Sequence, residues 1–202
     1  MLPQPNNPVA GTPHSHRPES TEFDRQERAQ LLHAAHESIR AALEGKDIPL
    51  HAPSPHLEEP RGVFTTLYLR EELRGCVGYV FPIIPLYRAV AETARAAAFD
   101  DTRFYSLTRV EEPGLEVSLS ILSALQPIRV EEVEIGRHGL MVSMGGNRGL
   151  LLPQVPVEHK WDRITFLEQT CRKAGLGLDV WKKGALIEAF TAEVFCDKDV
   201  HQ

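Results

Sequence analysis

Long apolar runs are missing from this chain, and so are paired cysteines, a surplus of basic charge and the familiar nucleotide and metal signatures. No segment offers the ~20 consecutive apolar residues that a membrane-spanning helix needs. The N-terminal MLPQPNNPVAGTPHSHRP lacks the apolar centre of a signal peptide. The three cysteines, Cys76, Cys171 and Cys196, are far apart and in no CxxC pair. That excludes a fully paired disulfide framework and a zinc-finger pattern, and it suits a reducing compartment. The expected location is therefore cytoplasmic, without membrane attachment. Net charge is -6 with His neutral. Binding along a nucleic-acid backbone works through basic groups that neutralise phosphates, so nucleic acid is disfavoured as a partner unless a local Arg patch serves it. No GxGxxG, P-loop, HExxH or EF-hand pattern occurs, and neither a cofactor nor a metal is expected from the sequence.

What is present is an ordinary globular composition, 42% hydrophobic and 25% charged over 202 residues. This length buries a core without disulfides or a structural metal. Residues 1–19 hold Pro, Asn, Ser and His with almost no large apolar side chain, and such a stretch cannot offset its ordering entropy. It reads as a disordered tail, with His14 and His16 solvated rather than forming a metal-binding arm. One folded domain is expected over 20–197, followed by a short C-terminal tail over 198–202.

A helix is expected from Ser20 or Thr21, with Leu31, Leu32, Ala35, Ile39, Ala42 and Leu43 at helical spacing and Gly45 as its stop. His33 and His36 sit three apart on it, half of a metal site with no third ligand nearby. Residues 46–60 read as loop. Gly62–Arg70 alternates like a strand, Glu71 and Glu72 offer a turn, and Leu73–Val80 returns, which makes a hairpin. A small-residue helix follows Pro85 and carries Leu86, Val90, Ala94 and Ala97 on one face. Leu115–Ala124 is a strand, and Leu140–Met144 and Arg148–Leu152 form a hairpin around Gly145, Gly146 and Asn147. LPQVPVEHKWD reads as irregular. A helix then places Trp161, Ile164, Leu167, Cys171 and Ala174 on one face, and one last strand spans about Ala185–Cys196, with Val194 and Cys196 on its apolar side. Neighbouring strands are mostly joined by short turns, so the expected fold is α+β, with a mainly antiparallel sheet and packed helices.

The segment most suited to chemistry is Leu73–Gly78, LRGCVG. Gly75 and Gly78 weaken a strand and usually mark a bulge or a close approach to the backbone. Arg74 and Cys76, two apart, would share a face in extended geometry, roughly 6–7 Å apart. A guanidinium there would favour the thiolate and make Cys76 a candidate nucleophile. The bare glycines would leave room for a ligand and expose amide donors. The competing reading is a small buried thiol and glycines that admit a helix. Thr65 and Thr66 lie across the hairpin and are candidate ligand contacts, or simply good strand residues. The loop after Leu152 gathers Gln154, Glu158, His159, Trp161 and Asp162. Gln154 and Glu158 are candidate ligand contacts, and His159 is the candidate base for a Cys–His pair. Asp162 reads as a helix N-terminal partner, and Trp161 as core. Arg103 and Arg148 would join Arg74 in an anion site, or remain solvated. Cys171 and Cys196 read as packing cysteines.

FTTLYLREELRGCVG, DDTRF, GLEVSLSIL, GRHGLMV, RGLLLPQVPVEHKWD, FLEQTCRKAGL and the late Trp181 together resemble the AMMECR-one domain family, over about Val63 to Phe195. LRGCxG followed by GLLLPQV is the specific part of the match. The resemblance implies a two-lobed α/β fold, a duplicated unit around one barrel-like sheet. Bacterial and archaeal members carry the label AmmeMemoRadiSam system protein A, which implies a Memo-like protein and a radical-SAM protein as partners. The chain lacks the CxxxCxxC of a radical-SAM enzyme, so it would be a companion of one. Three functions follow as expectations: an accessory module binding a ligand or partner through Leu73–Gly78, an acyl-transfer or hydrolytic enzyme using Cys76, and, disfavoured by charge, a nucleic-acid-associated factor.

Overall fold

The computed structural model describes residues 21–200. The expectations for residues 1–19, including His14 and His16, lie outside the described residues. Helix α1 runs Arg25–Glu44. It begins one turn later than Ser20 or Thr21 because Asp24 and Glu27 form a reciprocal capping box, and it stops at Gly45 in the left-handed conformation. Strands β1 (Val63–Leu69) and β2 (Glu72–Tyr79) form the expected hairpin. Its turn falls on Arg70 and Glu71, both at positive φ (53° and 68°), one residue earlier than Glu71 and Glu72 suggested. Helix α2 (Leu86–Phe99) follows Pro85, and β3 spans Leu115–Leu122.

The chain then passes through Ser123–Leu125 into a second unit. Strands β4 (Gln126–Pro127), β5 (Gly139–Met144) and β6 (Asn147–Leu151) are followed by a short helix α3 (Gln154–Glu158) and α4 (Arg163–Lys173). LPQVPVEHKWD is thus partly helical: Pro153 starts α3, where a missing N–H costs nothing. Trp161 precedes α4 instead of lying on it, and Asp162 is its N-cap, accepting from Thr165 N–H at 2.8 Å.

The single last strand is in fact two. Strand β7 (Leu186–Phe190) belongs to the second unit and β8 (Ala192–Cys196) to the first. Thr191 is the break: its carbonyl accepts from Ser123 N–H and its N–H donates to Ser123 Oγ, so the two crossing segments are pinned together. The break also breaks the facing pattern. Phe195 is buried, whereas Val194 and Cys196 turn to the other side and Val194 is exposed, contrary to the apolar side expected for both. A final short helix, α5, runs Asp197–Val200, and Val200 packs against the first core.

The fold is α+β, and every strand pair is antiparallel. The barrel-like closure does not form among the described residues, which make two separate four-stranded sheets, β2-β1-β3-β8 and β4-β7-β5-β6. The strand interruption at Thr191 hands the chain from one sheet to the other, and each sheet keeps its own core. In the first, α1 and α2 cover the Val63, Leu67, Val117, Leu119 and Ile121 face. Full burial of a side chain such as Ile39 or Leu31 is worth about 1.5–3 kcal/mol. In the second, α4 covers Leu140 and Ala189, with Phe166 and Leu167 between. No described helix is long and apolar enough to cross a membrane.

Candidate functional site around Cys76

Gly75 decides the local geometry. Helix α2 lies so close to β2 that a Cβ on Gly75 would stand 2.1 Å from the carbonyl oxygen of Ala97. The chain leaves α2 at Asp100, beside the free edge of β2. There Asp101 Oδ2 accepts a hydrogen bond from Cys76 N–H at 2.9 Å. The Cys76 amide therefore points away from β1, and Thr66–Cys76 is a non-hydrogen-bonded pair, the kind whose side chains approach most closely. Thr66 Oγ1 donates to Cys76 Sγ at 3.4 Å.

Arg103 donates three hydrogen bonds to Asp101, from its guanidinium at 2.9 and 2.7 Å and from its backbone N–H at 3.2 Å. These bonds, against the opposing effect of burial and with help from the Cys76 amide, hold the Asp101 carboxyl far below the usual carboxylate range. At the other end of the same loop Glu111 accepts from Arg74 Nε at 2.9 Å and Nη2 at 3.3 Å, and from the amide and hydroxyl of Thr108. The Arg74 bonds, again opposed by burial, push the Glu111 carboxyl down to about 2. Residues 100–111 thus form a strap that fastens LRGC by two carboxylates.

The expected Arg74–Cys76 pairing is corrected by a bulge. Leu67 pairs with Gly75 and Tyr68 with Leu73, which leaves Arg74 as the extra residue of β2. Its guanidinium faces Glu111. The guanidinium on the Cys76 side is that of Arg103, bonded to the same Asp101 carboxylate that accepts from the Cys76 amide. Arg74 Nη1 is buried without a hydrogen-bond partner.

Register places Cys76 beside Thr66, Thr66 beside Ser118 and Ser118 beside Cys196, one row across all four strands. The row lies on the face turned away from α1 and α2, and all four residues are half-buried. At ~4.8 Å per strand the two thiols are roughly 14 Å apart, far too distant for a disulfide. Tyr68 shares this face. Burial raises its phenol, and the nearby Cys76, Glu116 and Cys196 raise it further.

The other sequence candidates fall elsewhere. Thr65 turns to the helix side, fully buried, with its hydroxyl 2.8 Å from that of Thr93. Gly78 lies under the Phe64 ring, which a Cβ would meet at 2.3 Å. Packing therefore accounts for both glycines: helix fills the space at Gly75, and the Phe64 ring with the Val63 carbonyl the space at Gly78. Gln154, Glu158 and His159 sit on or next to α3 of the second unit, exposed. His159 stacks on Trp161 with centroids 4.7 Å apart, and no hydrogen bond joins it to Cys76 among the described residues. Arg148 lies over the Phe81 ring at 5.1 Å, against the segment that leaves β2. Cys171 is fully buried, as its place on the apolar face of α4 implied.

Sequence reasoning missed Asp101, Ser118, Tyr68 and Cys196 as parts of this face. The serines of LEVSLSIL, interleaved with apolar residues, were a usable signal for a polar sheet face. Nothing in DDTRF marked Asp101 as the partner of a strand amide. Also missed was a wide concavity of about 730 Å³ between α1 and α5. Polar groups pair within it: His36 lies 3.0 Å from Asp197, and Arg40 3.0 Å from Glu112. Among the described residues no three His, Cys, Asp or Glu side chains gather as a metal site.

Comparison with known proteins gives the context of this arrangement. The chain is 39% identical to a protein of Aquifex aeolicus, over 84% of this chain and 92% of that relative. It is 42% identical to a protein of Methanopyrus kandleri, over 84% and 87% respectively. The crystal structure of a protein from Pyrococcus horikoshii, titled as uncharacterized, superposes with a TM-score of 0.67 at 38% identity, covering 83% of this chain and 90% of that one. The AMMECR1 family model matches residues 32–195, which include the 100–111 strap and Thr66, Cys76 and Ser118 of the Cys76 row and end one residue before Cys196. By profile and relatives alike, this chain belongs to the AMMECR1 family.

Proposed function

We propose that this protein is a binding module that receives a small molecule or a partner segment on the outer face of its first sheet, at Thr66, Tyr68, Cys76, Ser118 and Cys196. The observation that carries the reading is the environment of Cys76. Its sulfur is met by a hydroxyl and its amide by a carboxylate already locked to Arg103. A nucleophilic thiol needs a base or an uncompensated positive charge within reach, and among the described residues no histidine hydrogen-bonds Cys76. The face instead offers rigid hydroxyl and thiol groups on a strapped sheet, which is how binding sites hold their polar contacts. As a companion of Memo-like and radical-SAM proteins, the module would use this face, with Arg74 and Glu111 holding its edge in place.

The test is titration calorimetry of the purified protein against the purified Memo-like and radical-SAM proteins of the same genome. Binding that falls at least tenfold in Thr66→Val and Cys76→Ala, with the fold unchanged by circular dichroism, supports the reading. No measurable heat with either protein removes the partner reading.

One observation favours the enzyme reading: the Arg103 guanidinium is held beside Cys76 through Asp101, which accepts from the Cys76 amide. In that case Asp101→Asn, which frees the Arg103 charge toward the thiol, would raise the alkylation rate of Cys76. An unchanged rate would leave the thiol in a binding role.

A further inference from the structure

We propose that His56 is a proton-operated latch: with both ring nitrogens protonated it ties the turn 54–59 to the start of α1, and when one proton leaves, the turn opens more readily. The turn lies near the end of the loop between α1 and β1 and contains the single-turn helix His56–Glu58. His56 Nδ1 stands 2.9 Å from Glu27 of α1, and Nε2 3.5 Å from Glu22 in the segment that leads into α1. An ionised carboxylate only accepts hydrogen bonds, and a neutral imidazole has one N–H to give. The charged ring therefore satisfies both carboxylates, whereas the neutral ring turns a lone pair toward one of them. The side chain is 31% exposed, so solvent protons reach it.

The surroundings keep the ring in place while its charge changes. It stacks on Phe23, with centroids 4.8 Å and planes 10° apart, and Phe23 is buried. Ser54 Oγ donates to the same Glu27, and Asp24 and Glu27 share the capping box of α1. Around the two carboxylates, Arg61 bonds Glu22 at 2.7 Å and Glu59 at 2.8 Å. Glu193 of β8 accepts from the Glu22 amide and from Arg28. Glu58 shares the turn with His56 itself. Burial lowers the pKa of the ring, but Glu27 and Glu22 outweigh it and the net shift is upward. The latch is therefore closed below pH ~6.5 and slackens as pH rises through the raised value. Leu57, fully buried, holds the turn from beneath, so the opening is a local excursion and not a release of the whole loop.

The test is amide exchange of the full chain by NMR at pH 5.5 and 8.5, with rates corrected for intrinsic exchange. Leu57, Glu58 and Glu59 donate the backbone hydrogen bonds of the turn and report on it. Their protection should fall about two- to fivefold at the higher pH, the strength of one exposed ion pair, and stay below that of β1 and β3 at both. His56→Gln should remove the pH dependence. Glu22→Gln leaves the neutral ring a single carboxylate to meet, so the fall should shrink and protection at pH 8.5 should exceed that of the parent. If a variant does not fold, NMR of the parent's His56 ring nitrogens decides: both protonated at pH 5.5 and Nδ1 alone at pH 8.5 are expected. No fall in protection, the same fall in either variant, or a ring already neutral at pH 5.5 overturns the latch. So does protection in the turn equal to that of β1 and β3, because the turn would then open only with the whole molecule.

Discussion

Gly75 and Gly78 both lack a Cβ, and at each a backbone carbonyl stands where one would go. At Gly75 the obstacle is the backbone of α2, which cannot step aside without moving the helix. Gly75→Ala is expected to lower stability by about 3 kcal/mol, read as a fall in the urea midpoint at constant slope. At Gly78 a Cβ would meet the Phe64 ring at 2.3 Å and the Val63 carbonyl oxygen at 2.7 Å, so backbone opposes it there too, and the same substitution should also cost about 3 kcal/mol. A Gly75→Ala variant as stable as the parent would mean that α2 does not rest on Gly75. Glu111 gives the pH dependence of the strap. Its carboxyl is depressed from 4.5 to about 2 by Arg74, so the stabilisation is fully present above pH ~4.5. It is lost as pH falls toward 2. Glu111→Gln should flatten the acid-unfolding curve within that window and leave its shape above pH 5 unchanged. His56 works in the opposite direction. Burial lowers its pKa, but the carboxylates of Glu27 and Glu22 outweigh burial and the net shift is upward. Its contribution is therefore complete below pH ~6.5 and fades as pH rises through the raised value. His56→Gln should cost more at pH 5.5 than at pH 8.5 in paired urea titrations.

At the scale of elements, the hairpin turn carries an avoidable strain. Arg70 and Glu71 both hold positive φ, a conformation that disfavours residues with a Cβ. Replacing the pair by Asn-Gly, the preferred residues of such a turn, should raise stability by about 1 kcal/mol, measured by thermal unfolding. A neutral or negative result would mean that the two side chains do something for the hairpin beyond the turn. The turn also illustrates what sequence patterning reaches. Alternation in VFTTLYL and the small-residue periodicity of α2 made these elements legible, because burial on one face writes itself into every second or every third to fourth residue. The hairpin at Gly145 and Gly146 was legible from its turn chemistry. The division of the last strand at Thr191 was not, since both halves are apolar and strand-like and only pairing partners tell two sheets from one. Arg74 shows the same limit at the site. A bulge changes the facing of one residue without any sequence mark, and so the expected Arg74–Cys76 contact became Arg74–Glu111. Asp101 was invisible because its role depends on where α2 delivers the chain.

At the scale of the molecule, the second unit is a 126–190 insertion between β3 and β8, and its exits are fastened where Ser123 and Thr191 exchange hydrogen bonds. The first core includes two helices and three strands, whereas the second is a much smaller buried cluster behind α4. Local opening follows the extent of apolar burial. Amides of β5, β6 and β7 should therefore exchange with solvent faster than those of β1 and β3 under native conditions. The opposite order would show that the units unfold as one cooperative body. This architecture also gives the Cys76 face its character: a sheet fixed by α1, α2 and the 100–111 strap, carrying hydroxyls and thiols on a half-buried surface. That face is the account's central claim, and the rate of iodoacetamide modification of Cys76 at pH 6.5, beside glutathione in the same buffer and resolved by peptide mass spectrometry, tests it most directly. A binding face predicts Cys76 modified no faster than glutathione, with buried Cys171 unreactive. Modification of Cys76 well ahead of glutathione would contradict the account and make this face the seat of a nucleophile.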